Sequence, residues 1–126
     1  MSGEPPVASQ RVSPAPFKVS SEQEAGTFVI LVEGELDMNT AAELERELEE
    51  ALGTPDSSLL IDLSRCEFID STGIALIVRA WQLRRDSGFA LCGVGDQVKR
   101  VLGITGLDET IPTYSSRQDA LARLRG

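Results

Sequence analysis

Histidine is missing altogether from the 126 residues, and basic side chains are outnumbered, twelve against twenty acidic ones. Without histidine no Ser-His-Asp or Cys-His arrangement can form, and no other residue stands out as a base for a serine nucleophile. The formal charge of -8 repels a phosphate backbone and an anionic leaflet alike, which argues against nucleic acid and membrane surfaces as partners. The two cysteines, Cys66 and Cys92, lack CxxC spacing and sit in apolar contexts. They read as small hydrophobes in a reducing compartment, not as a metal site. No apolar run is long enough to span a bilayer, and residues 1–13 have neither the basic nor the apolar region of a secretory leader, so the expectation is a cytoplasmic protein. The loops GxSxG, GxxxxGK(S/T) and GxGxxG are absent too, Gly93-Val94-Gly95 being too short a fragment, which counts against hydrolase, ATPase and dinucleotide chemistry.

What is there suffices for one domain with a single core. Pro5, Pro6, Pro14 and Pro16 crowd a start with almost no large apolar side chains, so residues 1–16 are expected to be a disordered tail and residues 17–126 the folded domain. Phe17 to Ser20 alternates apolar and polar. A polar turn ending in Gly26 leads into the continuous apolar run Phe28-Val29-Ile30-Leu31-Val32, which predicts a hairpin whose second strand is covered on both faces. Thr40 and Glu43 have capping-box spacing before a helix buried through Ala41, Leu44, Leu48, Ala51 and Leu52. Leu59 to Leu63 is the next strand. A helix follows with Ile74, Ile77, Val78 and Trp81 inward and Thr72, Ala75, Arg79, Gln82 and Asp86 outward. On that apolar stripe Trp81 reads as core, not as a partner contact. Phe89 to Val94 is a strand, Asp96 caps a helix broken by Gly103 and Gly106, Thr110 to Tyr114 is an edge strand containing Pro112, and Ser116 caps a closing helix. The order ββαβαβαβα predicts an α/β fold: a mixed, mostly parallel sheet of about five strands with helices packed on it and the first strand antiparallel.

The junction Phe68-Ile69-Asp70-Ser71-Thr72-Gly73 organises the rest. Asp70 and Ser71 are both strong N-cap types, and Gly73 clears the first turn, where free N–H groups and the positive dipole end favour an anion. A phosphate on Ser71 fits there, and so does an ordinary capped helix. Asp37, Asp62 and Asp70 fall at or near the ends of expected parallel strands, where open α/β sheets bind ligands, so they are candidates for magnesium as well as turn and cap residues. A phospho-aspartate receiver needs adjacent acids after its first strand and a lysine after its last; Thr113-Tyr114-Ser115 occupies the place of that lysine.

Val32-Glu33-Gly34-Glu35-Leu36-Asp37, Thr40-Ala41, Leu60-Ile61-Asp62-Leu63-Ser64 and Phe68-Ile69-Asp70-Ser71-Thr72-Gly73, in this order and spacing, resemble the STAS-domain family of bacterial anti-sigma factor antagonists. Ile104-Thr105-Gly106-Leu107 is similar to that family's segment before the last strand, and the resemblance runs from about Phe17 to Leu124. It implies partner switching: the unphosphorylated antagonist binds an anti-sigma factor that is also a serine kinase, sigma is released, phosphorylation ends the complex, and a Ser/Thr phosphatase resets it. It implies Ser71 as the phosphate acceptor, a partner surface of Asp37, Asp70, Ser71, Thr72, Gly73, Ala75 and Arg79, no cofactor or metal, and a chain that is substrate and not enzyme. Two departures stand out. Thr72 offers a second hydroxyl, and Ala75 stands where many members have glycine. Alternatives are a STAS-type accessory subunit of a transporter or stress complex without phosphorylation, and a module binding a nucleotide at the same helix end.

Overall fold

The computed structural model describes residues 16–54 and 56–125; apart from the exposed Pro16, the tail expected at residues 1–16 lies outside them. Strand β1 (Lys18–Glu24) and strand β2 (Thr27–Leu36) form the expected hairpin, closed where Glu24 faces Thr27. Its two turn residues, Ala25 at φ 52° and Gly26 at φ 83°, both adopt the left-handed conformation that matches the twist of a tight hairpin. Then come helix α1 (Ala41–Leu52), strand β3 (Ser58–Ile69), helix α2 (Ser71–Arg84), strand β4 (Phe89–Cys92), helix α3 (Asp96–Thr105), a single 3-10 turn (Leu107–Glu109), strand β5 (Thr113–Tyr114) and helix α4 (Arg117–Arg125). The five strands lie in sequence order, antiparallel between β1 and β2 and parallel thereafter. The mixed, mostly parallel sheet is thus as the element order predicts.

Alternation along the strands divides the core in two. Phe28, Ile30 and Val32 of β2, Leu59, Ile61 and Leu63 of β3, and Phe89 and Leu91 of β4 meet Leu44 and Leu48 of α1, Ile77 of α2, and Val98 and Leu102 of α3. Val29, Leu60, Ala90 and Cys92 point the other way, under Ala120 and Leu121 of α4. Three helices therefore cover one face and one covers part of the other. Both thiols are buried; burial raises that of Cys66, and burial with the charge of Asp62 pushes that of Cys92 up to about 12, so each is a protonated, inert core residue.

Several local expectations change. Strand β3 continues six residues beyond Leu63, because β2 runs beside it to Leu36 with register shifts after Leu31 and Gly34. Thr40 precedes α1 but makes no capping box: its hydroxyl donates to the Glu35 carbonyl at 2.8 Å and accepts from the Asp37 N–H at 3.0 Å, bracing the preceding loop. Gly95, not Asp96, is the N-cap of α3, and that helix passes through Gly103 to end at Gly106, whose φ is 77°. The last strand is reduced to Thr113–Tyr114 at the sheet edge. Ser116 does cap α4, accepting from the Asp119 N–H at 3.1 Å.

The buried stripe of α2 is Gly73, Ile77, Ala80 and Arg84, with Ile74, Val78 and Trp81 half-buried. Small residues at 73 and 80 let the helix sit close to the sheet, which rotates Val78 out of the core. Trp81 packs on the main cluster and carries the Arg85 guanidinium over its ring at 5.2 Å. Arg84 turns inward, and its Nη2 reaches the carbonyls of Ala51, Leu52 and Thr54 at 3.0, 3.2 and 2.6 Å. A cation from the end of α2 thus satisfies the carbonyl end of α1.

Asp62, placed near a strand end by the sequence, is mid-strand and buried. Its Oδ1 accepts from the Ser64 N–H at 2.9 Å and its Oδ2 from Arg117 Nε at 3.0 Å. Burial favours the neutral acid, but the bonds from Ser64 and Arg117 outweigh it and hold the carboxyl below its ordinary 3.8. A pKa depressed in the folded state contributes stability that is present above the ordinary value and lost as the pH falls through the folded one. Chemical denaturation of the native chain and Asp62→Asn across the acid range is expected to show a stability difference that shrinks as the pH falls below 3.8. A constant difference would remove Asp62 from the acid response.

Candidate functional site

The parallel strands β2 and β3 end together, with Leu36 paired to Ile69, so the residue that follows each strand, Asp37 and Asp70, leaves the same end of the sheet. The Asp70 N–H still donates to the Leu36 carbonyl at 3.2 Å. Beyond it the backbone turns into α2, with Asp70 in extended conformation as the N-cap. Its Oδ1 accepts from the N–H groups of Thr72 at 2.9 Å and Gly73 at 3.2 Å, and its carbonyl accepts from Ile74 at 3.0 Å. The carboxylate therefore satisfies two of the free amides of the first turn and fixes a negative charge at the positive end of the helix.

Ser71 is the first residue of α2 and is exposed, as is Thr72. Asp70 Oδ1 is taken by backbone amides, and among the described residues no side chain hydrogen-bonds the Ser71 hydroxyl. Gly73 is buried beneath this turn, where a Cβ would lie 2.7 Å from Leu36 Cγ and 2.8 Å from Ile69 Cγ1. Only a hydrogen fits, and the close approach holds the hydroxyl-bearing turn against the end of the sheet. One and two turns on, Ala75 and Arg79 are exposed on the same helix, and Arg79 reaches Glu45 of α1 at 3.6 Å. That ion pair is solvent-exposed on both sides and adds little stability.

Asp37 is half-buried, and its Oδ1 accepts from the Asn39 N–H at 2.9 Å while its carbonyl accepts from Thr40 and Ala41. It shapes the loop into α1 as Asp70 shapes the turn into α2. Asp62 does not join them, since its carboxylate belongs to Ser64 and Arg117; the arrangement of three acids around magnesium is not formed. Among the described residues no cluster of three or more His, Cys, Asp or Glu side chains is placed to hold a metal ion.

Two residues at this end of the sheet escaped sequence reasoning. Met38, between Asp37 and Asn39, is 75% exposed; an apolar residue inside a polar loop was the available signal. Gln97 of α3 bonds the backbone of Ile69, and nothing local in its sequence announces that.

The family model described as the STAS domain matches residues 18–120. The chain belongs to the STAS-domain family. Over 115 residues it is 30% identical to the anti-sigma-F factor antagonist RsfB of Mycobacterium tuberculosis, an alignment spanning 90% of this chain and 94% of RsfB. The anti-sigma-B factor antagonist of Listeria monocytogenes is 34% identical over 92 residues, 71% of this chain and 81% of the relative. The crystal structure of an anti-sigma factor antagonist from Mycobacterium paratuberculosis superposes with a TM-score of 0.82 at 33% identity, covering 88% of this chain and 96% of that one. In this STAS domain no described helix is long and apolar enough to cross a membrane.

Proposed function

We propose that this STAS domain is a cytoplasmic anti-sigma factor antagonist that works by phosphorylation-controlled partner switching. Unphosphorylated, it binds an anti-sigma factor of the serine-kinase class, and sigma is freed; phosphorylation of Ser71 ends the complex, and a Ser/Thr phosphatase restores it. The chain is then substrate and binding partner, not enzyme. The observation that carries this reading is the exposed Ser71 hydroxyl at the first position of α2, beside the fixed Asp70 carboxylate, in a chain whose relatives are named as such antagonists.

The surface around that hydroxyl suits an exchange of partners. Asp37, Thr72, Ala75 and Arg79 surround or follow it, and Gly73 sets its height above the end of the sheet. A phosphate brings about 1.5 to 2 negative charges. The helix start tolerates them but an acidic partner surface does not, so the fold survives while the interface is lost.

Incubation with a serine-kinase anti-sigma factor and ATP, followed by mass spectrometry, tests the assignment. The native chain and Thr72→Ala are expected to gain one phosphate and Ser71→Ala none. Equal labelling of Ser71→Ala would move the acceptor elsewhere.

A further inference from the structure

Strand β4 pairs with β3 only as far as Asp62, so among the described residues the last seven residues of β3 have a strand neighbour on the β2 side alone. Because the Asp70 N–H points to Leu36, the polar groups of Ile69 point to the opposite, strandless flank. There the side chain of Gln97 meets both of them: Oε1 accepts from the Ile69 N–H at 2.9 Å, and Nε2 donates to the Ile69 carbonyl at 3.1 Å. Gln97 lies in the first turn of α3, half-buried, next to Val98 of the core.

We propose that Gln97 is a positioning residue for the Ser71 hydroxyl: its amide stands in for the missing strand beside Ile69 and so fixes the turn from which Ser71 projects. This rests on Ser71 being the phosphate acceptor. The chain of contacts is short and rigid. Helix α3 is anchored in the core through Val98 and Leu102, Gln97 holds Ile69, and the next residue, Asp70, holds the amides of Thr72 and Gly73. Phosphoryl transfer needs the acceptor oxygen in line with the leaving group, and a displacement of about 1 Å costs up to roughly a hundredfold in rate. With Gln97 removed, Ile69 and Asp70 are held from one side only.

Gln97→Glu keeps the shape and an acceptor for the Ile69 N–H but turns an unprotonated oxygen on the Ile69 carbonyl; Gln97→Ala removes both bonds. Ile111→Val, a trimmed core residue outside this chain of contacts, controls for general loss of stability. Amide hydrogen exchange is expected to accelerate roughly tenfold or more at Ile69, Thr72 and Gly73 in both Gln97 variants, with Leu60 and Ile61 within about twofold of native. With a serine-kinase anti-sigma factor and ATP, kcat for labelling of Ser71 is expected to fall about tenfold with KM within about twofold. Ile111→Val should change neither pattern. Unchanged exchange at Thr72 and Gly73, an unchanged kcat, or the same losses in Ile111→Val would each overturn the proposal. If the native chain itself takes no phosphate at Ser71, the functional reading fails, and the exchange pattern alone still decides whether Gln97 holds the turn.

Discussion

Ser71→Asp is expected to bind a serine-kinase anti-sigma factor at least about tenfold more weakly than the native chain, and Ser71→Ala within about twofold of it. The carboxylate introduced at the exposed first position of α2 faces the partner, and only its interaction with the partner's charges, not with Asp70 of its own chain, enters the affinity. Where an acidic group of the partner lies near 4 Å from it, the two unit charges repel by roughly 4 kcal/mol at an effective dielectric of about 20, before screening, and each 1.4 kcal/mol is about tenfold in affinity. A carboxylate is smaller and less charged than a phosphate, so the variant recovers part of the switch. The loss should deepen at low salt, because the Debye length grows from about 8 Å at physiological ionic strength to about 30 Å at 0.01 M. Stability should barely move, since an acid at a helix start is favoured by the dipole. Calorimetric titration at two salt concentrations, paired with melting curves, separates the causes. Equal affinities for the Asp and Ala variants would sink the electrostatic gate, and weak binding accompanied by unfolding would place the effect in the fold.

The second large effect is expected far from the site. Arg84→Ala removes the donor for the carbonyls of Ala51, Leu52 and Thr54 and empties a buried position on α2. Hydrogen bonds from a charged donor contribute about 1.5–3 kcal/mol, and carbonyls left dry without a partner cost about 1–3 kcal/mol each. Water entering the vacated space offsets part of this, leaving a loss of about 3 kcal/mol and a Tm lower by roughly 10 °C. Arg84→Met retains most of the apolar stem but none of the bonds, and is expected to lose nearly as much. If Met restores native stability, packing and not the carbonyls is what Arg84 supplies. Anti-sigma factor binding by the folded fraction of either variant should be native-like, because Ser71 lies at the other end of α2.

The architecture was legible because it is written in local patterns. The continuous apolar run of β2 announced a strand covered on both faces, and Asp70 announced a capped helix start; both are found, whereas Gly73, read as clearing the first turn for an anion, instead lets that turn pack against Leu36 and Ile69. What stayed hidden joins distant residues through a side chain. Arg84, which drew no reading from the sequence, sits at the end of its own helix and serves the carbonyl end of another. Asp62 reads as a strand-end acid until Arg117, 55 residues later, takes its carboxylate. Gln97 and Ile69 are 28 residues apart and share no pattern. Thr40 shows the converse: the capping-box spacing is present, but the Glu35 carbonyl and the Asp37 N–H are better partners for its hydroxyl. Polar side chains with several available partners are decided by tertiary geometry, which periodicity does not encode.

Arg117 also reaches Glu22 of β1 at 3.0 Å across 95 residues of chain, and its helix, with Tyr114 of β5 at the margin, is the one described helix that packs on the lesser core of Val29, Leu60, Ala90 and Cys92. During synthesis the hairpin, the central strands and the first three helices can therefore assemble as they emerge, while that strip of the sheet lacks the cover of α4 until Arg117–Arg125 arrives. The wait exposes an apolar ribbon to other nascent chains and to chaperones, and a polypeptide truncated before Ala120 would lose the cover that Ala120 and Leu121 supply.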